Sequence, residues 1–405
     1  MRSQKRAFAS VAVVLGLLAT AACTKSVPPQ EASLVGEPPI VTTPAPISPE
    51  TLAARGTVVS QHAFHSSSDA LTAAAGTSIA AEYHSTDGST GKSTVVSGAF
   101  FVPPGTPPRG GWPVIAFAHG TTGIGHGCGP SMHDDLLGLS DSIASTLKQK
   151  YAVAITDYQG LGRTGVHPYL EPRTAGYNVI DSVRALRELD PSASPRWLAM
   201  GGSQGGQAAW AADEVAGTYG TGLDLVGAVA LAPAVDISRI PDLAWNNALS
   251  DQQTTFMPMI VVGASRVDPT ITVSDYLSPT AEQKLGDLTG CDQPRLVAAA
   301  TSLDENDVRP RSRAAADRLR DRLRRNALPQ QKLDAPLLVL NGDRDEVVLP
   351  TWVEAAVTRG CAMGDEITHR VVPGANHTDL GPDQQAISWI QARFAGAAAS
   401  STCSR

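Results

Sequence analysis

The chain is short of charge, of aromatic residues and of long apolar runs, and each shortage excludes a class of function. Charged residues make up 18% of the 405 positions and the formal net charge is -7, so no electrostatic drive toward nucleic acid exists and a nucleic-acid partner is not expected. Beyond the first two dozen residues no uncharged stretch is long enough to span a bilayer. No internal repeat is visible, which removes solenoids and propellers. Aromatic residues are 5% of the chain, whereas Gly 37 and Pro 29 are plentiful, a balance that fits tight turns between short buried elements. At 42% hydrophobic the sequence can bury a large core, and disorder along its whole length is excluded.

The one early apolar run has its own explanation. Arg2, Lys5 and Arg6 precede Val11 to Leu18, and Ala19-Thr20-Ala21-Ala22 leads to Cys23. Residues 1–23 read as an export signal with an ending similar to a bacterial lipobox, Thr20 standing where that motif usually has leucine. Lipidation at Cys23 is expected, holding the mature chain at the outer face of the cytoplasmic membrane; an ordinary cleaved signal would release it as a secreted protein. Outside that membrane disulfides persist, so Cys128, Cys291, Cys361 and Cys403 are expected to form two bridges. Four cysteines allow three pairings, and the sequence does not choose among them. Residues 24–50 carry Pro28, Pro29, Pro38, Pro39, Pro44, Pro46 and Pro49 with few large apolar residues, and read as an extended tether.

From about residue 51 the pattern is that of a folded domain running to 405. STVVSGAFFV at 93–102 and PVIAFA at 113–118 look like opening strands. AVAIT at 152–156 then alternates with a helix over 177–189, a strand at 197–200, a helix from about Gln204 and a strand at 225–232. Such alternation implies a parallel sheet. Val179, Ile180, Val183, Leu186 and Leu189 share one helical face. Strands return at 337–340 and 367–372, but 236–332 lacks a strand rhythm and reads as a mainly helical insertion.

Within this framework Gly201-Gly202-Ser203-Gln204-Gly205 is a G-x-S-x-G pentapeptide. It arises by chance about 0.3 times in a chain of this composition, so its setting decides. It follows a strand and opens a helix, the strained turn that presents a serine at the edge of a sheet, where Gly201 and Gly205 avoid clashes. A serine hydroxyl needs a base held by a carboxylate. Downstream, NGDRDEVV follows the strand at 337–340 and PGANH follows the strand at 367–372. Asp345 and His377 are therefore the expected acid and base, with Asp343 and Glu346 as rival acids and His369 as a poor rival base. The order Ser, Asp, His is that of an α/β-hydrolase. The backbone N–H groups of Gln204 and of Thr121, in the loop HGTTG after the strand PVIAFA, are the expected donors to a developing oxyanion, with Thr122 next.

FAHGTTGIGHGCGPS, ITDYQGLGRTGVHPYL and GGSQGGQAAWAADE, in this order and spacing, resemble the secreted lipase family of α/β-hydrolases, the group of fungal secretory lipases and bacterial exported relatives. The resemblance covers roughly 55–398. It implies a mostly parallel central sheet flanked by helices, a helical lid where 236–332 falls, and pairing of Cys128 with Cys291 and of Cys361 with Cys403. It also implies hydrolysis of carboxylic esters through Ser203, Asp345 and His377, with acylglycerols ahead of short-chain esters, and no cofactor. Acyl transfer to another alcohol, or an inactive lipid-anchored binding protein of the same fold, are the alternatives. Asp157 to Gly162 follow a core strand and form either a pocket wall or a shaping turn. His119, His126, Cys128 and His133 have no common zinc spacing, and no metal is expected. The arginines between 309 and 325 read as a solvated face offset by Asp317 and Asp321, with contact to anionic lipid as the alternative.

Overall fold

In a computed structural model the described residues are 37–380 and 384–403; the export signal, Cys23 and the first part of the proline-rich segment lie outside them. The strands are β1 (Val58–Ala63), β2 (Thr77–Thr86), β3 (Ser93–Val102), β4 (Trp112–Ala118), β5 (Ala152–Thr156), β6 (Ala193–Gly202), β7 (Asp224–Leu231), β8 (Leu337–Gly342) and β9 (Ile367–Val372). They form one sheet in the order β1-β2-β3-β5-β4-β6-β7-β8-β9. The β1–β2, β2–β3 and β3–β5 pairs are antiparallel and the remainder parallel. The central strands read as unbroken apolar runs because helices cover both faces.

The helices outside the insertion are α1 (Pro49–Ala54), α2 (Asp69–Ala74), α3 (Ser140–Lys148), α4 (Pro172–Leu189) and α5 (Gln204–Tyr219), and after it α12 (Pro350–Ala362) and α13 (Gln384–Phe394). Helices α4, α5 and α12 bury Val183, Trp210 and Trp352 against one face of the sheet. Helices α2 and α3 cover part of the other face, and α13 covers another part of it. Helix α4 begins at Pro172, five residues before the expected start at 177, because the Glu171 carboxylate accepts from the N–H groups of Arg173 and Thr174 and Pro172 sits in the first turn. Strands β1 and β2 were not singled out by the pattern. Strand β1 is an edge strand with most of its side chains exposed, so burial imposes no alternation on it.

Between β7 and β8 the chain forms α6 (Ile240–Trp245), α7 (Asp251–Val267), α8 (Pro279–Gln283), α9 (Leu285–Leu288), α10 (Gln293–Thr301) and α11 (Arg313–Asn326). On α11 the expected offset is present, Asp317 pairing with Arg313 and Arg320 and Asp321 with Arg324, and further ion pairs leave the helix. Arg313 and Arg320 share Asp242, and Arg324 pairs with Glu37. The segment of the proline-rich stretch that is described is extended but docked: Ile40 N donates to Arg324 O, Thr42 N to the Gln330 side chain, and Arg173 to Thr42 O. The return to β8 is held by two buried acids of α5. Asp213 accepts from the N–H groups of Asp334 and Ala335, and Glu214 from that of Gln330. Burial pushes both carboxyls well above the ordinary range.

Cysteines 128 and 291 are bonded, tying the loop after β4 to the insertion, and Cys361 is bonded to Cys403, tying α12 to the C-terminal segment. With a separation of 42 residues, closing the second loop contributes about 4 kcal/mol by the chain-entropy argument. Among the described residues no helix is long and apolar enough to cross a membrane.

Candidate active site

The loops that follow β4, β6, β8 and β9 emerge at one edge of the sheet, the carboxyl ends of parallel strands where α/β folds gather chemistry. Ser203 caps the N-terminus of α5 with φ 56° and ψ -117°, a left-handed conformation that costs a non-glycine residue on the order of 1–3 kcal/mol. Its N–H donates to Leu231 O, which fixes the turn. The glycines on either side are required by contact. A Cβ on Gly205 would lie 2.0 Å from Ala118 O, and one on Gly201 2.4 Å from the same oxygen.

His377 Nε2 lies 2.9 Å from Ser203 Oγ, and His377 Nδ1 lies 2.8 Å from Asp345 Oδ2. The second oxygen, Asp345 Oδ1, accepts from Val347 N at 2.9 Å and Val348 N at 3.0 Å. Both Asp345 and His377 are buried. An ionised carboxylate only accepts, so Nδ1 carries the imidazole proton and Nε2 presents a lone pair to the serine hydroxyl. The rivals are elsewhere. Asp343 accepts from Gly374 N and is exposed, Glu346 is exposed, and His369 Nε2 pairs with Asn341 Oδ1.

Thr121 lines the same cavity as Ser203 and His377, and its hydroxyl shares a hydrogen bond of 2.8 Å with Tyr169 Oη. Thr122 donates to Cys128 O. Gln204, the residue after the serine, is buried, and its side-chain amide lies 3.3 Å from His167 Nε2. His167 Nδ1 lies 2.9 Å from the carbonyl of Gln159. A carbonyl cannot donate, so Nδ1 holds the proton and Nε2 accepts from the glutamine amide. Neither His167 nor Tyr169 was singled out as a site residue in the sequence, although both lie in the quoted segment ITDYQGLGRTGVHPYL. No spacing rule connects an imidazole 37 residues upstream to the residue beside the nucleophile.

The segment Asp157 to Gly162 is a shaping turn. Asp157 is fully buried and accepts from the hydroxyl of Ser97 at 2.6 Å and from Ser131 N at 2.8 Å. Tyr158, with φ 64°, donates its hydroxyl to His119 O. Three of the four candidate zinc ligands have other partners. His119 Nδ1 lies 2.7 Å from Gly120 O, His133 Nε2 lies 2.8 Å from Gly127 O, and Cys128 is in a disulfide.

Burial, with His119 and Arg266 nearby, pushes His167 down to about 3. In the unfolded chain it titrates near 6.5, so between these values the unfolded state binds the extra proton. The contribution of neutral His167 is present above about pH 6.5 and is lost as pH falls toward 3, with a limiting slope of about 1.4 kcal/mol per pH unit. Urea unfolding of His167→Gln between pH 7 and pH 4 should therefore give a stability curve shallower than the wild type's. Parallel curves would mean that His167 is not buried neutral.

The cavity at this edge has a volume of about 650 Å³ and a mainly apolar lining that includes Met200, Leu231, Phe256 and Leu296. Against known proteins, a sequence model of the family described as "Secretory lipase" matches residues 139–402. A protein named as a probable inactive lipase from Mycobacterium tuberculosis is 27% identical over 270 residues, covering 63% of this chain and 57% of that one, so the match spans little more than half of that relative. Candida antarctica lipase A in its closed state superposes with a TM-score of 0.71 at 18% identity, covering 88% of this chain and 86% of its own. A rice cell wall degrading esterase from Xanthomonas oryzae superposes with a TM-score of 0.65 at 19% identity, covering 84% and 97%. Both share the fold.

Proposed function

The chain belongs to the secretory lipase family, and from that premise we propose that it is an ester hydrolase that works through Ser203, His377 and Asp345 by way of an acyl-enzyme, with acylglycerols as its substrate class. The observation that carries this reading is the unbroken line of hydrogen bonds from Asp345 Oδ2 through His377 to Ser203 Oγ at a largely apolar cavity of about 650 Å³. In the first step His377 Nε2 takes the proton of Ser203 as its oxygen attacks the ester carbonyl. Asp345 stabilises the imidazolium that forms. The negative charge on the carbonyl oxygen is met by the backbone N–H groups of Gln204 and Thr121, and His377 returns the proton to the leaving alcohol. Water then repeats the sequence on the acyl-enzyme. The helices α6–α11 serve as the lid over this site. The paired cysteines fit an exported protein, and Cys23 is the anchoring residue in this reading.

The name given to the mycobacterial relative favours a second reading, a protein of this fold without catalysis. An aryl fluorophosphonate decides between them, because only an activated serine reacts quickly. Rapid labelling, absent in Ser203→Ala, together with hydrolysis of p-nitrophenyl esters from butyrate to palmitate, is the expected result. A preference for long chains that rises at an oil interface supports the lipase. Preference for butyrate without that rise makes it a short-chain esterase, and no labelling sinks the catalytic reading.

A further inference from the structure

Alternation along the strands sends Ala116, Ala199 and Ala230 to the face covered by α4 and α5, where the core is continuous. On the opposite face the core is split. Phe117, Val153 and Ile155 pack with Leu136, Ile143 and Leu147 beneath α2 and α3. Ile115, Leu198 and Leu340 pack with Trp389 and Ile390 beneath α13. Met200 touches both clusters. The cavity that holds Ser203 continues into this seam, where Ile115, Phe117, Met200, Leu340 and Ile390 line it.

The other wall is a stripe of α3. Ser142, Thr146 and Gln149 line the cavity at spacings of four and three, one face of a helix and its final turn. The Thr146 hydroxyl donates to Ser142 O at 2.9 Å, so it asks nothing of a ligand. Helix α3 descends from the catalytic edge toward the start of β5, which places Gln149 and Tyr151, also lining residues, at the far end. Ile115 is paired with Leu198, five residues before Ser203 in β6 and its turn, so the seam reaches about 17 Å below the serine. The helical stripe alone covers about 10 Å.

We infer that this seam is the acyl-chain site: a channel between α3 and α13 that takes one unbranched apolar chain running from Ser203 down to Ile115 and Tyr151. At about 1.25 Å of advance per C–C bond, its length suits an acyl group of about twelve to fourteen carbons. The inference rests on the ester-hydrolase reading for the carbonyl end of that chain. The second arm of the cavity, under Phe256, Met259 and Leu296 of the insertion, is left for the alcohol portion.

Two blocking variants at different depths test it. Thr146→Trp fills the middle of the channel and Gln149→Trp its far end, with Phe256→Trp as the control in the other arm. Thr146→Trp should lower kcat/KM on palmitate by about tenfold or more relative to that on butyrate. Gln149→Trp, at the far end, should lower kcat/KM most on the longest chains. A profile shifted by Phe256→Trp and unmoved by both α3 variants overturns the proposal. Calorimetric binding of palmitate to Ser203→Ala protein reads the channel without catalysis. Binding that weakens with Thr146→Trp supports the channel even if the wild type hydrolyses no ester, a result that would remove the hydrolase reading alone. Palmitate binding indifferent to both α3 variants overturns the channel.

Discussion

Ser203→Ala should lower kcat on p-nitrophenyl butyrate about a millionfold, because nucleophile and base act as one unit and the loss of either removes the covalent route. The expectation follows from the turn as much as from the hydroxyl. Ser203 is held at φ 56° by its N–H bond to Leu231 O and by the absence of side chains at Gly201 and Gly205, where any Cβ would meet Ala118 O. Alanine can occupy the same backbone, so the elbow, the cavity and the N–H of Gln204 remain. What remains of catalysis should then be the contribution of binding and oxyanion donors, roughly a thousandfold to ten-thousandfold over water. Progress curves of the purified variant, read beside an unchanged melting temperature, measure this directly. Retention of more than a few per cent of the wild-type rate would show that Ser203 is not the nucleophile.

How much of this was legible in the sequence depends on whether the signal is local. The pentapeptide 201–205 carries its own steric reason for glycine, and the strands before it and before Asp345 are buried on both faces, so their apolar runs stand out. The acid could be chosen among Asp343, Asp345 and Glu346 by its distance from Gly342. Long-range partners were not legible. Gln204 and His167 meet only because the turn after β5 and the start of α5 are brought together at one edge. The proline-rich stretch reads as free tether because its stabilising contacts, with Arg324 and Gln330, come from residues nearly three hundred positions away. The seam on the α3 face is a property of how two helices share a sheet, and no single segment encodes it. Ser142, Thr146 and Gln149 look like an ordinary polar stripe until α13 leaves them facing a cavity.

Asp345→Asn should lower kcat about ten-thousandfold, less than the loss of the nucleophile and by a different route. The carboxamide is the same shape as the carboxylate, but its two ends are not alike. Asp345 Oδ1 accepts from the N–H groups of Val347 and Val348, so in the variant the carbonyl oxygen stays on those donors and the NH2 group takes the place of Oδ2. An NH2 group facing His377 Nδ1 can only donate, which forces Nδ1 to be the acceptor and moves the imidazole proton to Nε2. That nitrogen, 2.9 Å from Ser203 Oγ, can then no longer receive the serine proton. Burial of both side chains prevents a water from restoring the tautomer. The neighbours serve as internal controls: Asp343→Asn and Glu346→Gln alter groups that touch neither His377 nor Ser203, and should leave kcat within about twofold, the ±0.5 kcal/mol scale of surface substitutions. Nitrogen-resolved NMR of the imidazole should report the proton on Nε2 in Asp345→Asn and on Nδ1 in the wild type. A near-normal rate for Asp345→Asn, or a large loss in either control, would assign the acid to a different residue.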